Sequence, residues 1–196
     1  MFLGHLNVIL DYKNKFHTHQ LRILFEVHIQ GFFLYFQQLF YILLALFVVA
    51  IVALDQWTKY LVETGLALHE HRPSILGIFH ITHTQNDGGA WGSFGGQTWL
   101  FILVMVAFVA LLGYAVWKKW LSKKVEWICL AAILGGGLGN VIDRLLKDGL
   151  VTDMICLDFM KFPVFNVADC FITCGCILLM IYVIFFDREK KEEKSE

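Results

Sequence analysis

Asp153 and Asp169 are the two residues of this chain whose type and placement point most directly to chemistry. Asp169 ends the segment Phe165–Asp169, directly before the apolar run Cys170–Phe186, and Asp153 lies in the short loop leading there. An ionisable group at membrane depth is costly and therefore indicates function. Two carboxylates held close together share one proton. The charged one can then act as general base on a water while the other acts as acid, which is peptide hydrolysis without a metal.

The neighbouring residues leave the pairing open. Asp148 and Asp158 share the loop with Asp153, so spacing alone does not select the partner of Asp169. Asn166 lies three residues before Asp169, and its amide can orient a carboxylate or the scissile carbonyl. We therefore predict a carboxylate pair, with Asp153 and Asp169 as the better candidates.

The elements that must position these acids are membrane helices. Of the 196 residues, 58% are hydrophobic and 17% are charged, which is too apolar for an ordinary soluble domain. A spanning helix needs roughly 20 apolar residues. Four runs approach that length: about Leu39–Leu54 extended by Asp55–Val62, Trp99–Trp117, about Val125–Ile142, and Cys170–Phe186. We predict an all-α integral membrane protein with four transmembrane helices, and the net charge of −1 gives no field that would attract nucleic acid.

Basic residues near the helix ends predict the orientation. Lysine and arginine are concentrated in the N-terminal segment, in the loop that holds Lys118 and Lys124, and in residues 187–196. The other two loops, about 63–98 and 147–165, have few basic residues. We therefore expect both termini in the cytoplasm and the two acids at the outer face of the membrane.

Two polar clusters in the helices are predicted to support the acids. Asp55 and Lys59 lie four residues apart with the acid first, which favours an ion pair that is either structural or part of the site lining. Asn140, Asp143 and Arg144 follow a glycine-rich run that allows close helix contact, and they share one helical face. We expect Asp143 to pair with Arg144 and to position the site.

The first outer loop is predicted to contain a small β element. Ile75–Thr84 is rich in β-branched and aromatic residues, which is typical of a strand. Asn86–Gly89 is a turn signal, and Trp91 just beyond it suits the membrane interface. We therefore expect a short β structure on the outer membrane surface.

Rival chemistries have less support in the sequence. Histidines 69, 71, 80 and 83 could hold zinc, but no HExxH or CxxC motif accompanies them. Ser93 and Lys59 are the only plausible pair for a Ser–Lys protease, and Lys59 already has Asp55 beside it. The five cysteines form no readable disulfide framework.

Two other classes of membrane protein are alternatives. A non-enzymatic transporter or assembly factor predicts a polar stripe through the middle of the helices, whereas the charges here gather at the predicted outer ends. A protease that cuts within a transmembrane helix predicts acids in mid-span, whereas Asp153 and Asp169 lie at the boundary.

Assembled in chain order, these segments resemble the bacterial lipoprotein signal peptidases, also called signal peptidase II or prolipoprotein signal peptidase. Motifs spread over about residues 40–186 carry the resemblance. They are Asp55-Gln-Trp-Thr-Lys59, Asn86-Asp-Gly-Gly-Ala-Trp-Gly92, Gly139-Asn-Val-Ile-Asp-Arg144, Gly149-Leu-Val-Thr-Asp153 and Phe165-Asn-Val-Ala-Asp169.

The resemblance implies a four-helix aspartic endopeptidase of the bacterial cytoplasmic membrane, with a small extracytoplasmic β-rich cradle. It implies cleavage of diacylglyceryl-modified prolipoproteins before the lipidated cysteine, with Asp153 and Asp169 as the catalytic pair and no cofactor. It also implies contact with membrane lipid and binding of globomycin-type cyclic peptides. The supporting positions that it implies are Asp55, Lys59, Asn86, Gly88, Asn140, Asp143, Arg144, Asn166 and Ala168.

The sequence departs from the family pattern in two motifs. Met154 stands where phenylalanine is usual, and the Asp158-Phe159 pair downstream makes Asp158 a rival of Asp153. The spacing from Gly149 nevertheless fits Asp153 better. Gly89 replaces a usual alanine.

The predicted organisation has three parts. Residues 1–38 are an N-terminal extension of unknown role, longer than the family usually has. Residues 39–186 form the four-helix peptidase domain, and residues 187–196 form a charged cytoplasmic tail.

Overall fold

A computed structural model describes residues 2–88 and 95–186, with side chains described from His28 onwards. It divides into two compact units, Met1–Leu43 and Leu44–Glu196. All residues predicted for the site lie in the second unit. The predicted tail 187–196, Trp91 and Ser93 lie outside the described residues.

Four helices of the described chain are long and apolar enough to cross a membrane. They are α1 (Phe2–Gly65), α2 (Thr98–Trp117), α3 (Lys124–Leu146) and α4 (Val167–Phe185). No residue of α2 is buried within the protein, although the helix is apolar all round. Such a helix requires lipid around it, so the predicted four-helix membrane fold is confirmed.

Helix α1 begins earlier than predicted. The sequence suggested a first span from about Leu39, whereas the helix runs from Phe2 to Gly65. Hydropathy does not reveal the helix before position 39, because the polar residues there lower the mean hydropathy without breaking helical structure.

A two-stranded antiparallel sheet joins the loops between the helices. Strand β1 (Phe79–Asn86) pairs with β2 (Val151–Leu157). Between the pairs Ile81–Ile155 and Thr84–Asp153, β1 has two intervening residues and β2 has one, so β1 contains a bulge. The predicted strand was correct in place but began too early, because residues 75–78 form a turn.

The chain order places this sheet at one end of the helix group. Strand β1 connects α1 to α2, and β2 connects α3 to α4, so the same ends of the helices meet the sheet. Val62, Leu66 and Met154 form a buried apolar cluster that packs the sheet against the end of α1. Helices α3 and α4 approach closely because Gly136 faces the backbone oxygen of Ala168 with no room for a Cβ atom.

Candidate active site

The two predicted acids come together where β2 and α4 meet. Asp153 lies in the middle of β2 and is 2% exposed, and half-buried Asp169 lies in the first turn of α4. The side-chain amide of Asn166 donates to Asp153 Oδ1 at 2.7 Å, and the backbone N–H of Asn166 donates to Asp169 Oδ2 at 3.2 Å. One residue therefore bridges both carboxylates. The sequence placed Asp153 in a loop, and this was wrong, because β2 holds it.

The motif around Asn166 explains why Asp169 is held there. Asn166 is the N-cap of α4, and its side-chain oxygen accepts the backbone N–H of Asp169 at 3.0 Å. Because the Asp169 carboxylate accepts the Asn166 backbone N–H in return, the two residues form a capping box. The same four-residue motif therefore starts the helix and sets the position of the acid.

Two further asparagines complete the hydrogen bonds to the acids. Asn86 donates to Asp153 Oδ2 at 2.9 Å, and Asn140 donates to Asp169 Oδ1 at 2.8 Å. Asn86 is itself oriented by the backbone N–H of Gly88, which donates to its side-chain oxygen at 3.0 Å. Each of the four carboxylate oxygens thus accepts an N–H from an asparagine.

Burial dominates the ionisation of Asp153. The pKa of Asp153 is raised from 3.8 to about 6, mainly by burial against the opposing hydrogen bond from Asn86, and the charge of Asp169 contributes in the same raising direction. The hydrogen bond from Asn166 acts in the lowering direction. A carboxyl group that titrates near neutrality can serve as acid or base at physiological pH.

The predicted ion pair of Asp55 and Lys59 is present, with Nζ and Oδ2 2.7 Å apart. Lys59 also lies 3.2 Å from Asp143 Oδ2 and donates to Asn140 Oδ1 at 3.0 Å. None of the three charged side chains is more than 1% exposed. Since Asn140 in turn donates to Asp169, the lysine fixes which way that amide points.

Asp55 also anchors the start of α4. Its Oδ1 accepts the backbone N–H of Ala168, which is fully buried, at 2.9 Å. Gly139 makes this approach of helices possible, because a Cβ atom there would lie 2.5 Å from Asp55 Oδ2. The ion pair of α1 is therefore connected to both helices that hold site residues.

Arg144 does not pair with Asp143, so that prediction was wrong. Consecutive helical residues point in different directions, and Asp143 instead contacts lysine side chains. The guanidinium of Arg144 lies 4.0 Å from the ring centroid of Phe101, and its Nη1 donates to the backbone oxygen of Asn140 at 3.2 Å. Its Nε is buried and has no hydrogen-bond partner among the described residues.

A cluster around Lys147, at the end of α3, was not predicted from the sequence. The Lys147 ammonium lies 3.2 Å from Asp143 Oδ1, donates to Thr152 Oγ1 at 3.1 Å and also binds Glu63. Thr152, which directly precedes Asp153, donates its backbone N–H to Asp143 Oδ2 at 3.1 Å. We call these contacts the Lys147 clamp. The spacing of four between Asp143 and Lys147 was the available signal.

Gln56, which was also not predicted as a site residue, adds a second neutral hydrogen-bond donor to Asp143. Its amide donates to Asp143 Oδ1 at 3.0 Å and to the backbone oxygen of Gly139 at 3.1 Å. Its position directly after Asp55 in a predicted motif was the available signal.

Asp158, the rival acid, is not brought to Asp169. Its carboxylate accepts the hydroxyl of Ser74 and lies 2.6 Å from His80 Nδ1. Both contacts lower the pKa of Asp158. Within residues 28–88 and 95–186, no three metal-binding side chains converge on one point, so the loop histidines do not assemble a metal site there.

Comparison with known proteins identifies the family of this chain. The profile of the family described as Signal peptidase (SPase) II matches residues 46–185. The chain belongs to the signal peptidase II family. The resemblance drawn from the motifs is thereby confirmed, and the transporter and assembly-factor alternative is set aside.

Signal peptidase II relatives match along nearly their whole length. The lipoprotein signal peptidase of Geobacillus thermodenitrificans is 42% identical over 80% of this chain and 96% of its own. That of Enterococcus faecalis is 38% identical over 74% of this chain and 89% of its own. A solved structure of a bacterial membrane enzyme, determined by the in meso method at 1.9 Å, superposes with a TM-score of 0.66 at 31% identity, covering 73% of this chain and 93% of that one.

Proposed function

We propose that Asp153 and Asp169 are the catalytic pair of this signal peptidase II. The family membership makes the chain an aspartic peptidase that removes signal peptides from prolipoproteins. The observation that carries the proposal is the shared bridge of Asn166, which donates to one carboxylate through its side chain and to the other through its backbone. Asp158 has no such connection, since its contacts are Ser74 and His80.

The proposed reaction uses one proton held by the pair. The ionised carboxylate takes a proton from a water, and the water oxygen attacks the scissile carbonyl carbon. The protonated carboxyl group donates to the carbonyl oxygen as negative charge develops there. The first carboxyl group, now protonated, donates to the amide nitrogen as the C–N bond breaks, and the second carboxylate takes a proton from a hydroxyl of the tetrahedral intermediate. These transfers release the signal peptide and leave one proton on the pair.

The remaining polar residues are proposed to position this pair. Lys59 orients the Asn140 amide, and Gly88 orients the Asn86 amide. Arg144 has a buried N–H without a partner among the described residues, which suits it to donate a hydrogen bond to a substrate oxygen. The supporting set comprises Asp55, Lys59, Asn86, Gly88, Asn140, Asp143, Arg144, Asn166 and Ala168.

The proposed location is the outer face of the bacterial cytoplasmic membrane, with both termini inside. The sheet and the acids lie at one end of the helices, whereas the lysine-rich loop between α2 and α3 lies at the other. A diacylglyceryl-modified precursor then reaches the pair sideways from the bilayer and is cut before its lipidated cysteine. We expect globomycin-type cyclic peptides to compete for the same place.

The test is cleavage of a purified precursor by the full chain in a bilayer. We expect cleavage of the lipid-modified precursor, less of the unmodified one, and inhibition by a globomycin-type peptide. Asp153→Asn and Asp169→Asn should abolish cleavage while membrane insertion persists, and the matched control Asp158→Asn should remain active. Activity kept in Asp153→Asn and lost in Asp158→Asn would overturn the assignment.

A further inference from the structure

The end of the sheet away from the two acids carries exposed apolar side chains on two loops. One loop precedes β1 and the other follows β2. Leu76 is 89% exposed and Phe159 is 65% exposed. Together the exposed residues Ile75, Leu76, Ile78, Phe159, Met160 and Phe162 form what we call the apolar tip.

The two loops of the apolar tip are joined to each other. The backbone N–H of Asp158 donates to the backbone oxygen of Ile78 at 2.9 Å, and Phe79 pairs with Leu157 at the end of the sheet. The Ser74 hydroxyl donates to the Asp158 carboxylate in the same place. The exposed residues therefore belong to one end of one rigid element.

Leu76 adopts a backbone conformation that disfavours leucine. Its φ is 56° and that of Gly77 is 69°, and Ile78 donates its N–H to the backbone oxygen of Ile75 at 3.0 Å. A turn with two consecutive positive φ angles favours Asn-Gly, since a branched apolar side chain is strained there. Neither turn geometry nor packing within the chain explains a leucine that is almost fully exposed. An apolar surface outside the chain would explain it.

The membrane is the apolar surface within reach. Helix α4, which is long enough to span a bilayer, begins at Val167, five residues after Phe162. Five extended residues cover at most about 18 Å, and the polar zone of a bilayer face is itself several ångströms thick. Lys161 stands between Met160 and Phe162 and supplies a positive head group for lipid phosphate on an apolar stem.

We propose that the apolar tip inserts into the lipid leaflet on the side of the membrane where the two acids lie. Asp153 lies on the same strand β2, four residues before its tip end at Leu157, so a tip anchored in lipid sets the depth of that acid relative to the bilayer. A lipid-anchored substrate enters at a similar depth. The insertion itself does not depend on the catalytic roles proposed above.

The direct test measures lipid contact in the full chain, reconstituted in phosphatidylglycerol–phosphatidylcholine nanodiscs. An environment-sensitive fluorophore is attached at Leu76→Cys, with the five native cysteines replaced by alanine. Exposed Glu70→Cys, in the same outer loop but outside the tip, is the matched control. We expect lipids with brominated acyl chains to quench the probe at position 76 more than that at 70, and aqueous iodide to show the reverse order.

Two results would overturn the insertion. One is a probe at position 76 that iodide quenches as strongly as the probe at 70 while brominated lipids leave it unaffected. The other is quenching at 76 that appears only when a precursor with brominated acyl chains is added, since the tip would then bind substrate.

A second variant separates the tip from the fold. Leu76→Asn places the residue that the turn prefers, so the unfolding midpoint in detergent should be unchanged or raised. We expect slower precursor cleavage in bilayers and an unchanged rate in detergent, and equal loss in both would contradict the proposal. If the unaltered chain cleaves no precursor, the proposed function fails, while the quenching measurement still decides the insertion.

Discussion

Replacing Asn86 with alanine should move the alkaline limb of the pH–rate profile to higher pH. The Asn86 amide donates to Asp153 Oδ2 at 2.9 Å, and this bond stabilises only the ionised carboxylate. It therefore lowers the pKa of Asp153, which burial nevertheless raises to about 6. The charge of Asp169 is among the causes that raise the pKa of Asp153, so Asp153 is the member of the proposed pair that holds the shared proton. Without the donor it keeps that proton to higher pH, and the one-proton form of the pair persists further into alkaline solution.

The size of the shift follows from the burial of Asp153. A hydrogen bond to a charged group contributes about 1.5–3 kcal/mol, and a change of one pKa unit corresponds to about 1.4 kcal/mol. Because Asp153 is only 2% exposed, water replaces little of the lost bond. We therefore expect the alkaline limb of kcat/KM to move to higher pH by about one to two units in Asn86→Ala.

The assay is cleavage of a lipid-modified precursor between pH 4.5 and 9 in one bilayer composition. Thr84→Val is the matched control, because the Thr84 hydroxyl donates to the backbone oxygen of Asp153 at 3.2 Å and not to its carboxylate. That variant should keep the limb in place even if the rate falls. An unmoved or lowered limb in Asn86→Ala would refute the role given to this hydrogen bond.

Two further predictions concern the elements that hold the pair. Gly136→Ala should destabilise the protein by about 1–3 kcal/mol and reduce cleavage, because the added Cβ would meet the backbone oxygen of Ala168. The control Gly113→Ala should be tolerated, because open space surrounds that position. Thermal unfolding in detergent measures the stability of both variants. Lys147→Met should lower the unfolding midpoint, because it removes a cation that pairs with the buried Asp143 carboxylate, and Lys147→Arg should restore part of the loss. An unchanged midpoint in Lys147→Met would contradict the stabilising role of the Lys147 clamp.

The helices were predictable because hydropathy is a local signal. Trp99–Trp117 was predicted within one residue of α2, since nothing in that run is charged. Strand β2 was not predicted, because it is stabilised by pairing with β1, which is distant in the chain. The N-terminal start of α1 was missed because residues 2–38 contain no proline and yet too many polar residues for a hydropathy window.

The site was partly readable for a similar reason. Asp55 and Lys59 are four residues apart in one helix, so their ion pair followed from sequence spacing. The contact between Asp143 and Lys59 could not be predicted from spacing, because Lys59 lies on another helix and only the tertiary structure brings the two side chains within 3.2 Å. The bridge made by Asn166 combines a local cap with a contact to a strand, and only the first half is visible in a sequence.

The capping box of α4 includes Asp169, so the proposed catalytic acid also stabilises the first turn of the helix. Asp169 Oδ2 accepts the backbone N–H of Asn166, and Asn166 accepts that of Asp169 in return. A proton arriving on that oxygen competes with the backbone for the same lone pairs. In the proposed reaction, a proton on Asp169 Oδ2 would therefore weaken the first turn of α4 until that proton leaves. Cleavage of the peptide bond and transient opening of the first turn of α4 would then occur together.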